Sequence, residues 1–333
     1  MAVLDGEPVP NLGVDLQPFL RETGRLERLP ENDDVAFIGS NVLGLGFTMT
    51  AEAAAAMIQA DPRNTEVLAP YVIGADLNRR PDTSASRWII NFRDWSEARA
   101  AEYALPYDRV LQLVKPQRDF LPDYKRRVRE GWWRYEHQGP ALYARISDLE
   151  HVLAISLVGN VLLPVRLQTG PVFAHVCGVF ALDDLGSLAL LSSSVHQTWA
   201  VRYTSTMRTD IRYAPSDVFL TLPRPELTRA LHELGAALDG ERREIMLDRQ
   251  LGLTKLYNLV HDPAYSDLDV LRLRELHKQI DLATLAAYGW SDLDPQVGHH
   301  RTKIGVRWTV SPAARFELLD RLLAENHARA ARQ

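Results

Sequence analysis

The sequence predicts an α+β protein in which a mixed or antiparallel sheet is followed by a mainly helical C-terminal region. Three observations predict it. Between residues 141 and 185, short apolar runs (Ala141 to Ile146, Val152 to Leu157, Leu162 to Leu167, Val172 to Ala181) alternate with Gly, Pro and Asp, the pattern of strands joined by hairpins. Arg87-Trp-Ile-Ile-Asn-Phe is β-branched and aromatic, hence a strand. Beyond Pro225 the apolar residues return at helical spacing, as at Leu273, Leu276, Ile280, Ala283 and Ala287.

The elements follow in order. Residues 1–34, with four prolines and an excess of acids, read as an acidic linker. Phe37 to Phe47 is apolar and Gly-rich. Thr50 and Glu52 ahead of an Ala run then give a helix start with an N-cap and an early acidic residue. From Leu121 the residues Leu121, Tyr124, Val128, Trp132 and Tyr135 step by three and four, which predicts one helix with an apolar face and with Lys125, Arg126, Arg129 and Arg134 turned outward. Leu188 to Val201 reads as a helix, Gly289 as a C-cap, and Pro312 as the first turn of a final helix. The expected domains are residues 1–34 as linker, 35–224 as a sheet-containing domain and 225–333 as the helical region.

Composition bounds the function. With 333 residues, 46% hydrophobic and 24% charged, the chain fits an ordinary globular protein of about two domains. The single Cys177 excludes an internal disulfide framework and a multi-cysteine zinc site. Neither a basic-then-apolar leader nor an apolar span of transmembrane length appears, so the expected compartment is the cytoplasm and no membrane partner is expected. The net charge of −5 is matched by residues 1–34 alone, which hold eight acids and three bases. Residues 115–134 carry seven bases against three acids, a local basic patch in a neutral body.

Catalytic patterns are weak. Gly44-Leu-Gly46-Phe is the one cofactor-like glycine pair, and without a long preceding strand it reads as a turn. His299-His300, and His175 near Cys177, fall short of a zinc ligand set. Ser192-Ser-Ser194 with His196 has no nucleophile elbow, and His196 and Trp199 read as packing positions. Trp88, Phe92, Trp132 and Trp290 read as core as well.

A set of separated signatures occurs in one order: Phe37-Ile-Gly-Ser, Asp61-Pro-Arg-Asn, Gly74-Ala-Asp-Leu-Asn, Trp88-Ile-Ile-Asn-Phe, Lys115-Pro-Gln-Arg, Gly131-Trp-Trp-Arg-Tyr, Leu191-Ser-Ser-Ser-Val-His-Gln-Thr-Trp-Ala, Arg212-Tyr-Ala-Pro-Ser-Asp-Val-Phe and Ala287-Tyr-Gly-Trp. From about residue 35 onward this order resembles the target-recognition region and C-terminal tail of the MmeI-like family, which includes fused type II restriction-modification enzymes and adenine-specific DNA methylases of phage-defence islands. The resemblance implies double-stranded DNA as a partner. A methylase needs a glycine-rich S-adenosylmethionine loop and an Asn/Asp-Pro-Pro-aromatic loop for the flipped adenine, and the sequence has no Pro-Pro dipeptide. The expectation is therefore a recognition chain without catalytic residues, cofactor or metal of its own. It would serve a separate methyltransferase, or methylase-nuclease, subunit that binds S-adenosylmethionine. A stand-alone DNA-binding defence protein, or a degenerate gene fragment, is the alternative.

DNA recognition divides residues into those that hold phosphates and those that read bases. Lys115, Arg118, Lys125, Arg126 and Arg129 are the phosphate candidates; the same charges also fit a solvated helix face. Arg208, Asp210 and Arg212 are the base-reading candidates. They alternate along an extended segment, Arg can grip guanine bidentately, and Asp can accept from the cytosine amino group. The resemblance places variable specificity positions close to this segment. An internal ion-pair ladder is the competing account of the same run.

Overall fold

The computed structural model describes residues 24–204 and 211–332 in full, and the backbone alone for strands Ala2–Leu4, Glu7–Val9 and Ser205–Met207 and for Asp210. The fold is α+β. Its residues form two compact units, one of residues 34–183 and 243–256, the other of residues 1–33, 184–242 and 257–333.

The first unit holds two four-stranded sheets. Strands β1 (Ala36–Ile38), β2 (Thr48–Met49), β3 (Leu68–Val72) and β4 (Arg87–Ile90) come first, with β5 (His151–Ser156), β6 (Val165–Gln168), β7 (Val172–Phe173) and β8 (Cys177–Phe180) after them. One sheet runs in the order β7-β3-β4-β2 and is mixed, because β7 and β3 are parallel while the other pairs are antiparallel. The other, β1-β8-β5-β6, is antiparallel throughout. Their buried residues include Ile89, Ile90, Val152, Ala154, Phe173, Val179 and Phe180. Helix α1 (Ala51–Ala60) starts where expected, with the Thr50 hydroxyl accepting from the Ala53 amide at 3.2 Å. Short α2 (Gly74–Arg79) and longer α3 (Ala104–Leu113) follow. Gly46 lies against α3 so closely that a Cβ there would sit 2.5 Å from the Leu113 Cβ, which gives the glycine pair at residues 44 and 46 a packing explanation.

Two stretches of this unit depart from expectation. The single helix predicted from Leu121 to Tyr135 is instead a 3-10 turn at Asp123–Lys125 and a short α4 (Arg126–Glu130), preceded by Pro122 and ended at Gly131. Trp132, Trp133 and Tyr135 are buried, but beyond the helix: the Trp133 indole donates to the Trp95 carbonyl and the Tyr135 hydroxyl to the Ile90 carbonyl. Tyr124, placed by periodicity on a buried face, is exposed. The run Ala141 to Ile146, expected as a strand, lies largely in α5 (Pro140–Arg145), where Pro140 sits at the helix start and Gly139 turns the chain with φ +73°.

In the second unit, α6 (Leu185–Ser192) is capped by the Asp184 carboxylate and α7 (Ser194–Tyr203) by the Ser193 hydroxyl. The single helix expected over Leu188 to Val201 is therefore split, since a serine at β geometry caps the second half. Strands β9 (Ser205–Met207) and β10 (Asp210–Arg212) are antiparallel. Long helices follow: α8 (Arg229–Asp248) and α9 (Leu253–His261), each of which has part of its length in the first unit, and α10 (Leu268–Ala287). Helix α10 ends in a Schellman arrangement, with Gly289 at φ +76° and the Trp290 amide reaching the Leu285 carbonyl at 2.9 Å. A hairpin of β11 (Gly298–Thr302) and β12 (Gly305–Thr309), with no counterpart in the sequence reading, precedes α11 (Pro312–Ala330). Residues 27–32, within the stretch read as a linker, are fastened to this unit. Asn326 bonds both the amide and the carbonyl of Glu27, and Leu29 and Asn32 are fully buried. Among the described residues no helix is long and apolar enough to cross a membrane.

Candidate nucleic-acid interface

The basic segment of residues 115–134 is built around one buried cation. Arg118 is 2% exposed, and its guanidinium fork spans two distant stretches of backbone. Nη2 donates to the carbonyls of Val42 at 2.8 Å and Leu43 at 2.9 Å, while Nη1 donates to those of Trp132 at 3.1 Å and Arg134 at 2.5 Å. Five donors in a rigid plane suit this task, which a lysine point charge does not. Burial lowers its pKa to about 10, still far above neutrality. Arg118, expected at a phosphate, is thus an internal strut, because backbone carbonyls hold the donors that a phosphate would need.

Two of the remaining phosphate candidates are lightly held. Lys115 pairs with Asp119 at 3.4 Å and Arg126 with Glu130 at 2.7 Å, both one helical turn apart and largely exposed. Such pairs contribute little and exchange readily for another anion. Lys125 is more enclosed, with Glu136 at 2.6 Å. Arg129 ties its own loop, donating to the Leu121 carbonyl at 2.8 Å and to Asp123 at 3.1 Å. Arg127, which the sequence reading left out, is exposed and has no ion pair among the described residues. Its signal was its place in a run of three consecutive bases, where nothing local separates the free cation from its paired neighbours.

The base-reading candidates are only partly visible. Arg208 lies outside the described residues, and so does the side chain of Asp210. Arg212 ends β10 opposite Ser205 and is exposed, between Ile211 and Tyr213, each 1% exposed. The strand alternation turns Arg212 to solvent while its neighbours anchor it. The Tyr213 hydroxyl lies 3.1 Å from the His196 Nε2, and the His196 Nδ1 lies 2.7 Å from the Leu191 carbonyl. Burial lowers His196 to about pKa 4, so the ring is neutral at pH 7 and serves as a hydrogen-bonded support. Trp199, fully buried, donates to the Val218 carbonyl at 3.1 Å.

The other catalytic patterns resolve into structure. Ser194 donates through its amide and hydroxyl to Asp281, at 2.6 and 2.7 Å, and receives Thr309 at 3.1 Å. Cys177 is buried, and desolvation pushes its thiol up to about 12. His299 contacts the Val260 carbonyl at 3.3 Å. Among the described residues no group of three or more His, Cys, Asp or Glu is placed to hold a metal ion.

Compared with known proteins, the sequence matches no family model, and no curated protein matches it. The fold does match. Over 97% of the chain it is similar, with a TM-score of 0.67 and 15% sequence identity, to the solved structure of the type IIL restriction-modification enzyme MmeI in complex with DNA. The chain spans 39% of that protein's length. Its fold is therefore similar to that of part of that enzyme.

Proposed function

We propose that the chain is the sequence-reading part of a restriction-modification or phage-defence DNA methyltransferase assembly, with the S-adenosylmethionine chemistry carried by a separate catalytic subunit. The observation that carries the reading is the fold match, which takes in nearly the whole chain and pairs it with part of an enzyme solved on DNA. The surface chemistry supports it. Lys115, Lys125, Arg126, Arg129 and Arg127, which has no ion pair among the described residues, make up a phosphate-holding set in one unit. Strand β10 in the other presents Arg212 on a rigid base, with Arg208 and Asp210 completing the base-reading set.

Retention of the purified chain on a randomised duplex pool at two salt concentrations tests this. Enrichment of a short motif is the expected result. Salt-sensitive retention without enrichment would reduce the protein to a non-specific clamp, and no retention at either salt would reject the reading. Co-purification with a methyltransferase subunit tests the assembly separately.

A further inference from the structure

The described residues with the most exposed large apolar side chains are Phe120, at 90%, and Tyr124, at 85%. They stand four residues apart on one loop, and that loop is not loosely attached. Its stem is bolted by the buried Arg118 fork, and the Leu121 amide closes onto the Arg118 carbonyl at 3.0 Å. Across its tip, Arg129 holds the Leu121 carbonyl and the Asp123 carboxylate, and the Lys125 amide meets the Pro122 carbonyl at 2.8 Å. The backbone is thus preorganised while two aromatic rings remain in water. Close to them in the chain are cations free or readily freed: Arg127, without an ion pair among the described residues, and Arg126 and Lys115 in exposed pairs.

Rings held out from a rigid loop and flanked by cations suit a partner with flat apolar faces bordered by anions. We propose that Phe120 and Tyr124 pack against the bases of duplex DNA as a wedge, while Arg127, Arg126 and Lys115 take the adjoining phosphates. The inference rests on the DNA-recognition reading and deepens it. Aromatic and aliphatic side chains that enter a base step unstack it partially and bend the duplex. Their contribution comes from π-face contact and is independent of counterion release, whereas each phosphate-held cation adds about one to the slope of log affinity against log salt.

The test uses the full chain and an end-labelled duplex carrying its selected motif, or a mixed-sequence duplex if none is enriched. Affinity is measured over a salt series, and the end-to-end distance by energy transfer. Phe120→Ala and Tyr124→Ala are each expected to weaken binding by at least about fivefold with the salt slope unchanged, and together to abolish the bend. Arg127→Ala is expected to lower the slope by about one and keep the bend. Both aromatic side chains are exposed, so thermal stability should be unaffected, and Phe120→Tyr with Tyr124→Phe should bind as the wild type does. A double alanine variant that binds and bends DNA normally overturns the wedge and leaves the loop as a surface for a protein partner. Failure of the wild type to bind DNA at any salt overturns the recognition reading itself, a result distinct from the first.

Discussion

Arg118 and Arg127 are nine positions apart in one basic run, yet one is enclosed by carbonyl oxygens and the other stands in solvent. What separates them is the arrival of residues 42, 43, 132 and 134 around Arg118, and no local pattern carries that information. The sequence therefore showed the charge of the patch and not its division of labour. Arg118→Ala strands four carbonyls without their donor and should cost about 3 kcal/mol or more in denaturant unfolding. Arg118→Lys should recover little of it, since an ammonium cannot span both stretches; full recovery by lysine would show that charge alone matters there. For Arg212 the expected effect is on binding. Ile211 and Tyr213 hold the strand without help from the guanidinium, so Arg212→Ala should leave stability intact. It should relax preference at one base pair, a loss of about 1–3 kcal/mol of discrimination. An unchanged selected motif would remove Arg212 from the reading set.

At the scale of elements, what was legible had a chemical punctuation mark. Thr50 capped its helix, Pro312 opened the last one with Ser311 as cap, and Gly289 closed α10 in the left-handed conformation. What was misread had periodicity and no arbiter. Leu121 to Tyr135 kept a helical spacing across Gly131, but the aromatics beyond it found tertiary partners such as the Trp95 and Ile90 carbonyls. Two glycines separate conformational from steric requirements. Gly289 has open space where a Cβ would go and only its φ of +76° to protect, so Gly289→Ala should cost about 1–2 kcal/mol. Gly46 has an ordinary backbone and no space, and Gly46→Ala should cost about 1–3 kcal/mol as α3 is pushed away. Chemical denaturation of both variants checks the pair. Backbone-permissive D-Ala, introduced by semisynthesis, should rescue position 289 and not position 46.

At the scale of the whole molecule, the chain passes between its two units at residues 33/34, 183/184, 242/243 and 256/257, an organisation that composition read along a line does not express. One unit also buries a set of ionisable groups whose effect on stability is collective. Burial lowers His196 to about 4; burial, with Arg242 nearby, lowers His277 to about 3; and burial, with Arg307 nearby, lowers His261 to about 3. Burial raises Asp281 to about 7 against the opposing hydrogen bonds from Ser194. Between about pH 4 and 6.5 the unfolded chain binds a proton at each of these histidines that the folded chain leaves off, so their contribution to stability rises with pH. Asp281 acts in reverse: folded, it keeps a proton that the unfolded carboxyl has lost above its ordinary pKa of 3.8, so its contribution falls as pH rises towards 7. Three groups against one give a net rise to about pH 6.5, followed by a decline to about pH 7 from Asp281 alone. Replacement of Asp281 by Asn retains an oxygen to accept from the Ser194 amide and removes the titration. The melting temperature of Asp281→Asn should therefore climb more steeply than that of the wild type from pH 4.5 to 6.5 and stay level from 6.5 to 7.5, where the wild type declines. Parallel profiles for the two proteins would mean that Asp281 is ionised in the fold at neutral pH, with the Ser194 amide and hydroxyl sufficient to hold a buried carboxylate.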